Sequence, residues 1–68
     1  MAMKILVESN GRVNASVSYT IAHDIIHDRF FTKEPAIVGI YEIVHDYTID
    51  NAGVEIYLHV GDTLIEQA

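Results

Sequence analysis

The chain has no cysteine. Disulfides and thiolate metal sites are therefore excluded, and nothing marks an oxidising compartment. Basic residues are scarce: four Lys and Arg stand against ten Asp and Glu, for a net charge of -6. Nucleic acid and anionic membranes attract proteins through a positive field, so neither is an expected partner, whereas a basic protein is. The plain reading of the charge is solubility alone. No apolar run approaches the ~20 residues of a membrane span. Only the three apolar residues Ile5-Leu6-Val7 follow Lys4 before Glu8, so no signal peptide is read and a cytoplasmic location is expected. A Gly-x-Ser-x-Gly elbow and a phosphate-binding glycine loop are also missing. No enzymatic activity and no cofactor are expected.

With 68 residues, half of them hydrophobic, the chain reads as one folded domain. Met1-Ala2 reads as a cloning leader ahead of Met3, leaving residues 3–68 as the domain. A core this small leaves little net stability when burial at about 25 cal/mol per Å² is set against about 1.5 kcal/mol of ordering entropy per residue. Small domains meet that shortfall with disulfides, a metal or a partner chain. Here a His–carboxylate metal site or self-association remains.

Ile5-Leu6-Val7 followed by Ser9-Asn10-Gly11 predicts a strand over residues 3–8 and then a turn. Two readings compete beyond it. Val13, Ala15, Val17, Tyr19 and Ile21 alternate as in a strand. A two-residue Asn-Gly loop would, however, set Val13, Ala15 and Val17 opposite Glu8, Leu6 and Lys4, a poor match of faces. Read as a helix, Val17, Ile21, Ile25 and Ala22, Ile26, Phe30 make a broad apolar face, with Thr20, His23, Asp24 and His27 opposite. The expectation is a helix over residues 16–31, capped by Asn14 or Ser16 and stopped ahead of Pro35. A strand over residues 13–16 is the variant.

Two β-rich runs then flank Asn51-Ala52-Gly53 and predict a hairpin over residues 36–60. A three-residue loop would set Ile49 against Glu55 and Asp46 against Leu58. A four-residue loop instead pairs Ile49 with Val54, Tyr47 with Ile56, His45 with Leu58 and Ile43 with Val60. It gathers Tyr41, Ile43, Tyr47, Ile49, Val54, Ile56, Leu58 and Val60 on the core face, takes His45 in with them, and turns Tyr57 and His59 outward. Gly53 takes the left-handed position. The tail continues the last strand past a bulge at Gly61, or runs loose. The fold expected is α+β, a small antiparallel-rich sheet of three to four strands with one helix on one face, in the order β-α-β-β or β-β-α-β-β.

Ile37-Val38-Gly39-Ile40 is apolar throughout, the pattern of a strand buried on both faces. One helix covers only one face of a small sheet, so a homodimer or higher oligomer is predicted. Its interface would hold Ile37, Val38, Gly39 and Ile40, with Val44, Tyr57 and His59 beside them. His23 and His27 have the i, i+4 spacing of metal ligands, with Asp24 or His45 as a third. No Glu follows the first His and a bare pair recurs by chance, so no metal is assigned. Arg12, Arg29, Tyr41 and His45 are candidate contacts for a nucleotide-like ligand between subunits. The leading expectation is a small acidic interaction module, a regulator or inhibitor docking on another protein, of a kind that phages and mobile elements carry. Ligand binding or sequestration is the alternative.

Overall fold

The computed structural model describes residues 4–67. The leader expected at Met1-Ala2 lies outside them. The elements run β1 (Lys4–Ser9), β2 (Arg12–Ser18), α1 (Tyr19–Ile26), β3 (Thr32–Ile37), β4 (Ile40–Ile43), β5 (Tyr47–Asn51), β6 (Val54–Leu58) and β7 (Thr63–Gln67). The α+β class and the antiparallel pairing agree with expectation, but the three to four strands do not. A five-stranded sheet has the order β2-β1-β7-β4-β3, and β5 with β6 forms a separate two-stranded ribbon.

Strand β2 takes residues 16–18, the first three of the expected helix, together with the residues of the strand variant before them. Asn10 and Gly11 both take positive φ, 52° and 78°, which closes a two-residue hairpin whose twist suits the strands. The poor match of faces is resolved by one extra residue. Glu8 pairs with Val13, but Val7 pairs with Ala15 and Ile5 with Val17. Asn14 is bulged out between them, and the slip of one turns Ala15 and Val17 inward. Val17 is thereby a strand residue facing Ile5, both almost fully buried.

The helix is only eight residues long, and side chains of the following turn stop it. Thr32 Oγ1 donates to the carbonyls of Ile26 (3.2 Å) and Asp28 (3.1 Å), and Asp28 Oδ1 accepts the Phe30 amide at 2.9 Å. Carbonyls left over at a helix end need such partners, and the chain turns there instead of continuing to Phe31.

The long first strand of the expected hairpin, residues 36–50, falls across three strands. Val38-Gly39 turns β3 into β4, with Gly39 at φ +85°. The segment Ile37-Val38-Gly39-Ile40 is thus a hairpin tip beside an edge strand, not a central strand buried on both sides; Val38 is 97% exposed. After Ile43 the chain leaves the sheet for the ribbon, and it returns after Leu58. Two carboxylates fasten this crossing: Asp46 Oδ1 accepts the Val60 amide at 2.8 Å, and Asp62 Oδ2 the His59 amide at 3.1 Å. The ribbon closes on Ala52-Gly53, both at positive φ, and pairs Tyr47 with Leu58 and Ile49 with Ile56. The expected register is corrected by two residues, a slip that keeps Ile49, Ile56 and Leu58 toward the core; Val54 and Val60, also expected there, are 62% and 63% exposed. The tail is neither loose nor an extension of β6. It forms β7, hydrogen-bonded between β1 and β4.

One core unites these parts. Ile5, Val7, Val17, Ile43 and Leu64 from one face of the sheet meet Ala22, Ile25 and Ile26 of α1 and Ile49 and Leu58 of the ribbon. Helix and ribbon therefore share one face. Among the described residues no element covers the other.

Candidate functional site

The side chains singled out from the sequence fall into separate settings. Tyr19, His23 and His27 follow one another along α1 and its end, their rings edge to face with centroids 5.5 and 5.0 Å apart. Tyr41 of β4 extends the row, 6.1 Å from His27. Tyr19 Oη lies 3.4 Å from His27 Nε2, and His23 Nδ1 lies 3.3 Å from Asp24. The Tyr41 hydroxyl is hydrogen-bonded to Glu66. That bond, then partial burial and the charges of Glu66 and Tyr19, push its pKa up to about 12. Among the described residues no three His, Cys, Asp or Glu side chains gather where a metal could sit. Asp24 engages His23, while the other suggested ligand, His45, belongs to a different cluster.

His45 is not inside, which corrects the expectation. It is exposed and lies against Phe30 with ring centroids 4.4 Å apart. Its Nδ1 donates to the Asp46 carbonyl at 2.8 Å. Phe31 bridges His45 and Tyr47 at 5.6 and 4.6 Å. This aromatic cluster ties the turn after α1 to the link between β4 and β5, and Val44 of that link donates its amide to the Phe31 carbonyl. Of the other ligand candidates, Arg12 opens β2, Arg29 lies in the turn after α1, and Tyr41 stands in the histidine row. The four do not converge on one pocket.

The ribbon presents the most distinctive surface. Asn51 pairs with Val54 across the two-residue turn, so alternate pairs, Asp50 with Glu55 and Thr48 with Tyr57, are the non-hydrogen-bonded ones. In such pairs the side chains stand closest, which sets two carboxylates directly opposite each other, an unfavourable arrangement. Each has one internal donor: Gly53 N to Asp50 at 2.9 Å and the Tyr57 hydroxyl to Glu55 at 2.7 Å. The bond to Glu55 raises the Tyr57 pKa. Tyr57 is 58% exposed. At the base of the ribbon, Asp46, Tyr47, Thr48, Tyr57, Leu58 and His59 line a shallow groove of about 430 Å³. The backbone amides and carbonyls of Glu55 and Tyr57 point away from β5, and among the described residues no strand pairs with that edge of β6.

Tyr57 and His59 are thus exposed as expected, whereas the acidic pair beside them was not singled out. Its signal was present in the chain: residues 1–33 hold all four basic side chains against three acidic ones, and residues 34–68 hold seven acidic and none basic. No helix among the described residues is long and apolar enough to cross a membrane. Compared with protein-family models, curated proteins and solved structures, the chain matches none.

Proposed function

We propose that the protein is a small acidic, non-enzymatic interaction module that regulates or inhibits another protein by docking on a basic patch of it. The observation that carries this reading is the outer side of the ribbon, where Asp50 and Glu55 oppose each other beside exposed Tyr57. A Lys or Arg from a partner relieves the repulsion, and an exposed tyrosine supplies contact area at small entropic cost. The groove at the ribbon's base offers a place for a neighbouring apolar side chain.

The test compares affinity capture by the wild-type chain with capture by Glu55→Lys. A basic protein retained by the first and lost by the second, with unchanged circular dichroism, is the expected result. A partner held equally by both overturns the ribbon's role. Native mass spectrometry of the purified chain addresses the ligand alternative, for which a retained nucleotide-sized mass is the signature. The dispersed positions of Arg12, Arg29, Tyr41 and His45 lend that alternative no support.

A further inference from the structure

The sheet face turned away from the helix carries side chains in rows that follow from the strand register. Ser16, Leu6, Ile65, Ile40 and Ile37 are successive cross-strand partners on β2, β1, β7, β4 and β3. An unbroken aliphatic row therefore crosses the sheet from β1 to β3. Leu6, Ile40 and Ile65 are only half-buried and Ile37 is 64% exposed. On the covered face, Ile5, Val7, Ile43 and Leu64 are at most 1% exposed. The row is flanked on one side by Ser18, Lys4 and Gln67, and on the other by Val13, Glu8, Thr63, Glu42 and Lys33.

Charge selects the occupant. Among the described side chains this face holds Lys4, Lys33, Glu8 and Glu42, two of each sign, in a chain of net charge -6. Its charges balance locally, so two copies meeting here escape much of the repulsion between two chains of that net charge. Glu42 and Lys33 are cross-strand partners of opposite sign within one sheet. Lys4 and Glu8 lie on β1, on either side of Leu6, and have no such cross-strand partner.

We propose that this face binds a second copy of the chain, the two sheets packed face to face about a two-fold axis running along the aliphatic row. Such an axis lays Leu6, Ile65, Ile40 and Ile37 on their own counterparts. It also exchanges the flanking rows, so that Lys4 of each copy comes over Glu8 of the other. The interface is self-complementary in the sense that a two-fold dimer requires, and the aliphatic row becomes the centre of a sandwich with sheets about 10 Å apart.

Sedimentation equilibrium on the purified chain, over a range of about 1 to 100 μM, reads the association directly. A monomer–dimer equilibrium is expected. Ile40→Asp abolishes it, and Lys4→Glu and Glu8→Lys each weaken it by about tenfold or more, whereas the double exchange restores affinity to near the wild-type value. All three charge variants change exposed or half-exposed positions and are checked by thermal unfolding. A wild-type monomer throughout the range overturns the proposal. So does a dimer that Ile40→Asp leaves intact, or one in which the double exchange is no better than the singles.

Discussion

Ala52 is the residue with the least comfortable backbone. It sits at φ 54° in the ribbon turn, where an L-residue with a Cβ costs about 1–2 kcal/mol and asparagine less. Ala52→Asn is expected to raise stability by about 0.5–1 kcal/mol, read as a higher urea midpoint at unchanged slope. Tyr41 makes a prediction in pH. Its ordinary pKa of 10.0 rises to about 12 because the neutral hydroxyl donates to Glu66. The raised value means that folding favours the protonated form. The resulting stability is complete below pH 10.0 and is lost as the pH climbs through about 12. Near-ultraviolet tyrosinate absorbance should show a phenol titrating near pH 12 that is absent from Tyr41→Phe. Glu66→Gln should bring it back toward its ordinary value, and the loss of stability between pH 10.0 and about 12 should shrink with it.

At the scale of elements, the bulge at Asn14 decides which side of β2 faces the core. Deleting Asn14 removes the extra residue but keeps Ala15 opposite Val7 and Val17 opposite Ile5, so a near-wild-type unfolding curve is expected. Deleting Ser16 instead turns Val17 out and puts Ser18 opposite Ile5. The lost valine burial alone costs about 1.5–3 kcal/mol, and the urea midpoint should fall accordingly. The same residue explains what could be read from the chain. Asn10-Gly11 announces its turn by composition, and the ribbon's faces follow from alternation even though its partners were misplaced by two. A bulge leaves no compositional trace: Val13, Ala15 and Val17 alternate unbroken, although the face changes within them. The helix end was hidden for a related reason, since apolar spacing runs on to Phe30 while Thr32 and Asp28 terminate it through bonds to backbone atoms. Likewise Val44-His45-Asp46 interrupts the alternation at only one position, yet the chain changes sheets there. The histidine row could be read from its spacing, but the outer pair Asp50 and Glu55 depends on the two-residue turn that sets the register.

The whole molecule depends on its latest strand. Without β7 the pair β1–β2 and the pair β3–β4 share no hydrogen-bonded neighbour. Leu64, with none of its surface exposed, is the contribution of β7 to the core. Leu64→Ala is expected to cost about 2–5 kcal/mol. A chain stopped at Asp62 should show no cooperative unfolding transition by circular dichroism, because neither two-stranded remnant is stable alone. Strand order also has a consequence for how the protein is made. A ribosome delivers β1, β2, α1, β3 and β4 before the strand that joins them. The nascent chain therefore waits with two unjoined hairpins and an uncovered aliphatic surface, and the decisive pairing spans most of the sequence. Folding is then a late and comparatively slow event, and the interval before β7 emerges is when aggregation or a chaperone competes for the chain.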